Sequence, residues 1–193
     1  MSKKKVFYNA FYNYNFKQNT NLLLIDATSI NNKYGSEYTV INPEYKKKKI
    51  TKLSVVSNKN NFIHTVDVFD LKSKYNNYNT SIHDVKMINK SLKKVAIQNK
   101  SKYFFLLGDK AYKTKDTIKL NDKNVKIITP NKSNSLIKNS NYKDKKLKKR
   151  IRIENAINNI KRNERVKTRK DRNIVTYMSW VYISCLINNL KCQ

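Results

Sequence analysis

Apolar positions in this chain alternate between short strand-like runs and helical stripes. Leu22, Leu23, Leu24 and Ile25 form an unbroken apolar run that ends at Asp26, and residues 21–28 predict a buried central strand. Residues 38–42, 50–57 and 62–69 offer further strands, divided by turn-prone Asn, Gly and Pro, and predict an antiparallel meander after the first. Over 84–98 the period changes to that of a helix, with Ile88, Leu92, Val95 and Ala96 on one face and lysines on the rest. Residues 103–107 then read as a buried strand ending at Gly108-Asp109, and 125–128 as another that stops before Pro130. A strand, a helical crossover and a second strand predict a mixed α/β sheet.

The stretch 131–141 is polar and reads as a loop. From 144 to 165 the pattern is helical and basic, with Ile153, Ile157 and Ile160 as its apolar stripe. Residues 173–190 form a more apolar helix suited to packing on the sheet, and the spacing of Met178 and Trp180 marks them as packing residues. Residues 1–20 alternate Tyr, Phe and Asn with no clear period, as a loosely held arm or the remnant of a preceding region would. The expected organisation is therefore a short arm over 1–20 and one domain over 21–190.

Composition narrows the partners. The chain has 193 residues, 39% of them hydrophobic, enough for one cored domain. Its 42 Lys and Arg against 13 Asp and Glu give a formal net charge of +29, which attracts polyanions and sets copies of the chain against one another unless nucleic acid or counterions intervene. Cys185 and Cys192 stand alone near the C-terminal end, which excludes a disulfide framework and a Cys-based zinc site and points to a reducing interior. The first residues lack a signal-peptide core and no apolar run is long enough for a bilayer, so an intracellular protein without membrane contact is expected. Lysine blocks at 3–5 and 46–49 read as nuclear targeting or simply as part of the general basicity.

Three separated acids carry the candidate chemistry. Asp26 and Asp109 each follow an apolar strand, and Glu154 lies in the basic helix. A strand-end aspartate often only opens a turn. A rigid buried strand also holds a metal ligand better than a loop does, and two such acids in one small α/β chain are harder to dismiss than one. Gly108 is expected to let the backbone turn sharply before Asp109. Arg150, Glu154 and Lys161 share a helix face at spacings of four and seven, either as a surface salt-bridge array or as a metal ligand flanked by two phosphate-holding cations. Phosphodiester hydrolysis or transfer needs an activated water or 3'-hydroxyl and a stabilised leaving oxygen, both of which two Mg²⁺ or Mn²⁺ ions supply. Such hard cations take oxygen ligands, so carboxylates suit them and histidines are dispensable. His83-Asp84 is read as a helix N-cap with an exposed His, or as a pair supporting the active centre. His64, within a strand, reads as structural.

These residues also carry a family resemblance. "LLLIDATSI" resembles the first-Asp strand, "SIHDV" the intervening His-Asp element, "LLGDKAY" the second-Asp motif and "RIRIENAINNIKRNERVKTR" the final-Glu helix of insertion-sequence transposases of bacterial type. These enzymes carry an Asp-Asp-Glu triad, and the resemblance is to the branch with a Tyr-Arg-Glu-Lys signature. The resemblance spans about residues 20–190. It implies a ribonuclease-H-like mixed sheet flanked by helices, with Asp26, Asp109 and Glu154 as a catalytic, metal-binding triad for two Mg²⁺ or Mn²⁺ ions. It also implies Arg150 and Lys161 as DNA contacts, and Lys52 as a basic strand position near DNA.

Two signature positions depart from the family: Leu147 stands where Tyr is usual, three positions before Arg150, and Ala111 where Gly is usual. The chain also leaves only about 25 residues before the first acid, where the family commonly has a helical DNA-binding region. A truncated or decayed transposase is one expectation, with end recognition supplied by the basic face, a homodimer on DNA or a partner chain. A metal-dependent nuclease without strand transfer and a noncatalytic basic nucleic-acid-binding protein are the alternatives.

Overall fold

The apolar run that opens the sequence pattern becomes the centre of a mixed sheet. The computed structural model describes residues 5–15, 20–41, 49–69, 85–98, 103–113, 125–131 and 140–192. Strand β1 (Leu22–Asn32) buries Leu23, Leu24 and Ile25 on both faces, as a strand covered by helices on each side must. It pairs antiparallel with β3 (Lys49–Asn58) on one side and parallel with β5 (Phe104–Leu107) on the other. β6 (Val125–Ile128) extends the sheet in parallel beyond β5. β3 is edged by β4 (Ile63–Val68) and by the two-residue β2 (Val40–Ile41), both antiparallel to it as expected but both on its side away from β1, so the three do not form a meander in the order β2-β3-β4. A last bridge, β7 (Thr168–Arg169), adds to the far end of β1.

Alternation along the strands divides the core into two layers. Leu24, Leu53, Val55, Val66, Leu107 and Ile128 face one side, where they meet α1 (Val6–Asn15), α4 (Ile151–Lys161) and α6 (Ile174–Leu190). Leu23, Ile25, Val56 and Leu106 face the other, where α2 (Val85–Gln98) brings Ile88, Leu92 and Val95 at spacings of four and three. This is a mixed sheet flanked by helices, as the sequence pattern predicts.

Four expectations are corrected in detail. Residues 6–15 form a helix whose Phe11 is fully buried and whose Asn15 donates to the backbone carbonyls of Ile63 and His64, at 3.0 and 2.9 Å. Its anchoring residues are aromatic rings and amides, not an aliphatic stripe, which is why no period showed. β1 continues six residues past Asp26, so that acid sits within a strand and not at its end. The basic helix is broken into α3 (Asn141–Leu147), a 3-10 turn (Lys148–Arg150), α4 and α5 (Glu164–Lys167). The second break comes at Asn163, whose side chain accepts from the Arg165 amide and restarts the helix. Gly108 has no left-handed backbone; it makes room, since a Cβ there would lie 2.9 Å from the Tyr112 ring.

Candidate functional site

Pairing of β1 with β5 sets Leu24 beside Leu107, so Asp26 and Asp109 each lie two residues beyond the last paired position of these adjacent parallel strands, Asp26 within β1 and Asp109 past the end of β5. Asp109 keeps an extended backbone, φ −69° and ψ 166°. Both acids thus follow leucines of the layer covered by α4, the helix that carries Glu154.

Arg150 ties the second and third acids together. One guanidinium nitrogen lies 3.7 Å from Asp109 Oδ1 and another 3.9 Å from Glu154 Oε1. The two carboxylate side chains are 43% and 53% exposed, so water screens this bridge and its net worth is small. Asp109 Oδ1 also accepts from the Lys110 amide at 2.6 Å, capping a 3-10 turn over Lys110–Tyr112. Asp26 is half-buried and accepts from the Ala27 amide at 2.9 Å.

Lys161, one helical stretch further on, reaches back to β1. Its ammonium donates to Thr28 Oγ1 at 2.5 Å and lies 3.5 Å from the Ser29 carbonyl. Thr28 follows Asp26 by two and so shares its face. Burial lowers the Lys161 pKa from the ordinary lysine value. The sequence pattern missed Thr28, although the period of two from Asp26 was the signal that could have found it. It also missed Lys146, whose ammonium lies 3.1 Å from the centre of the Phe105 ring and 4.4 Å from that of Tyr142, and so anchors α3 against β5.

Not every candidate joins this face. Lys52 pairs in register with Ser29 and alternates with Ser54, whose hydroxyl contacts Ser91 of α2. It therefore belongs to the opposite side of the sheet from Arg150 and Lys161; a basic residue in a strand carries no sign of its face until the register is known. His83 and Asp84 lie outside the described residues. His64 is structural: it is fully buried, packs edge-on to Phe62 at 5.2 Å and has neither ring nitrogen hydrogen-bonded. Burial lowers its pKa from 6.5 to about 4.

The three acids do not close into a metal centre. Among the described residues, no group of three or more His, Cys, Asp or Glu side chains stands close enough to hold a metal ion. Asp109 and Glu154 instead share a cation, the Arg150 guanidinium. In donor chemistry the set fits a hard divalent ion, since all three side chains offer carboxylate oxygens. No described helix is long and apolar enough to cross a membrane.

No family model and no curated protein matches the chain. Among solved structures it is similar to the piggyBac transposase in a synaptic complex with hairpin DNA, with a TM-score of 0.62 and 8% identity over 94% of this chain. The match covers 49% of the piggyBac chain, so this chain spans about half its length. A weaker match is the Mos1 mariner paired-end complex with Mn, at a TM-score of 0.37 and 10% identity, covering all of this chain and 60% of the other. At these identities the likeness to piggyBac is one of fold.

Proposed function

We propose that the chain carries out metal-dependent phosphodiester chemistry on DNA as the catalytic domain of an Asp-Asp-Glu transposase with a ribonuclease-H-like fold, in the Tyr-Arg-Glu-Lys branch. The observation that carries this reading is the convergence of Asp109 and Glu154 on one guanidinium, at the strand end where Asp26 occupies the matching position of the neighbouring strand. The fold likeness to a transposase supports it.

In this reading Asp26, Asp109 and Glu154 hold the divalent ions, Mg²⁺ or Mn²⁺. When bound, such ions supply activation of a water or 3'-hydroxyl and neutralisation of the leaving oxygen. The chain's own residues do the rest. Arg150 exchanges its two carboxylate partners for a phosphate of the DNA. Lys161, held against Thr28, presents a second cation on the same face. Gly108 lets the Tyr112 ring close under the Asp109 turn and fixes its direction. The high positive charge draws in the duplex and makes binding fall steeply with salt. DNA is the partner, with a second copy or another chain completing end recognition.

One observation favours a second reading. The absence of a three-acid cluster among the described residues suits a noncatalytic protein that binds DNA through charge alone. Labelled DNA carrying the sequences that flank its gene, incubated with Mg²⁺ or Mn²⁺, separates the two. Cleaved or joined product from the native protein and none from Glu154→Gln is the expected result. No product from either, with DNA binding retained by both, selects the second reading.

A further inference from the structure

A cleft of about 400 Å³ opens at the β4 edge of the sheet, between α1, α2 and the start of α6, away from the three acids. Three tyrosines and three lysines line it: Tyr8, Tyr38, Tyr182, Lys5, Lys90 and Lys94. Its one acid, Asp67, is buried and already neutralised, with Lys94 at 2.5 Å and Lys90 at 3.9 Å. The cleft is therefore positive on balance. Tyr8 meets Tyr182 edge-on at 5.5 Å, and the Lys94 ammonium lies 5.7 Å from the Tyr8 ring centre. Tyr38 holds φ at 52°, a left-handed backbone that a bulky residue seldom adopts and that tends to mark a functional position.

Ring faces interleaved with cations are what an unpaired nucleotide needs, a π-surface for its base and ammonium groups for its phosphate. The volume suits one such unit. A duplex keeps its bases stacked on one another and has no face to offer, and an acidic peptide has charge but no base to stack. We infer that this cleft binds an unpaired nucleotide of a single-stranded nucleic acid, stacking its base on Tyr8 and holding its phosphate with Lys5 and Lys90.

The inference does not depend on the acids. Fluorescence anisotropy with labelled oligo(dT), an abasic strand of equal length and a hairpin duplex tests it on the full chain. The native protein should prefer oligo(dT) to the abasic strand. Tyr8→Ala should lose that preference, with oligo(dT) binding about tenfold weaker and duplex binding unchanged, while Tyr8→Phe keeps it. Lys90→Gln, at an exposed position that leaves the rings in place, should lower the salt slope for oligo(dT) by about one. Glu154→Gln should bind oligo(dT) as the native protein does, so failure of the catalytic reading is seen separately. Equal binding of oligo(dT) and abasic strand by the native protein, native-like binding by both Tyr8→Ala and Lys90→Gln, or displacement of oligo(dT) by polyglutamate as readily as by unlabelled oligo(dT), would overturn it.

Discussion

Two arginines on the same side of the sheet are held in opposite ways. Arg169 is fully buried, and its guanidinium donates to the backbone carbonyls of Glu37 at 2.6 Å, Asp171 at 3.1 Å and Arg172 at 2.9 Å, and to Thr51 Oγ1 at 3.0 Å. Gly35 leaves the space for it, since a Cβ there would collide with the guanidinium group. Arg150 is 28% exposed and lies 3.7 and 3.9 Å from two carboxylates, beyond hydrogen-bond length. The first cation is fixed by four neutral acceptors at hydrogen-bond distance. The second is partly buried and held by charge at distances beyond hydrogen-bond length, so little binds it to either carboxylate. A saturated cation belongs to the scaffold, and the loosely shared one is the cation the proposed chemistry would use.

The sharpest way to break that contrast is to remove the buried member. Arg169→Met strips hydrogen bonds from three carbonyls and from Thr51 at once, leaving buried acceptors at about 1–3 kcal/mol each before relaxation. Urea unfolding should show a loss of about 3–5 kcal/mol. Arg169→Lys should recover little of it, because an ammonium cannot span acceptors set out for a planar fork. A variant as stable as the native protein would mean that the buried arginine is ornament and the contrast false.

His64 sharpens the same point from the side of protonation. Its pKa is lowered to about 4 in the folded protein and returns to 6.5 on unfolding. Below pH 6.5 the unfolded chain therefore takes up a proton that the folded chain refuses. Stability is fully present above pH 6.5, falls as pH drops, and stops falling on this account near pH 4. By linkage the loss is about 2 kcal/mol between pH 6.5 and 5, above the range in which most carboxylates titrate. Denaturation at constant ionic strength should show this slope, and His64→Leu should flatten it. A slope that survives the substitution would place the titrating group elsewhere.

How much of this was legible beforehand follows from what each feature depends on. The period of two and the period of 3.6 disclosed β1, β3 to β6, α2 and α6, because burial of one stripe or one face is written directly in residue order. α1 was hidden because it is fastened by Asn15, Tyr12 and Phe11 to partners about 50 or more residues away: Asn15 to Ile63 and His64, Asn15 again to Asn189, and Tyr12 to Val66. Amides that bind backbone across such distances leave no local period. Arg169 was hidden among the many basic residues that sit at the surface. Of the candidate site, the types of the residues were legible and their faces were not: Lys52 and Lys161 look alike in sequence, and only the fold puts one on the α2 side of the sheet and the other against Thr28.

The smallest effect on stability should come from Arg150, and it is the most informative about chemistry. Removing a screened bridge at 3.7 and 3.9 Å should cost less than about 1 kcal/mol, within the range of exposed ion pairs. The same substitution takes a positive charge away from between two carboxylates. If Asp109 and Glu154 take up a divalent ion there, Arg150→Ala should bind Mn²⁺ about tenfold more tightly than the native protein, since repulsion of a doubly charged ion at some 4 Å in a mostly aqueous setting is of order 1–2 kcal/mol. Electron paramagnetic resonance of free Mn²⁺ measures this without any appeal to activity. The gain should vanish when Glu154→Gln is added, because one of the two competing ligands is then gone. Unchanged Mn²⁺ binding in Arg150→Ala would make the bridge an ordinary surface contact, and the two arginines would then differ only in depth.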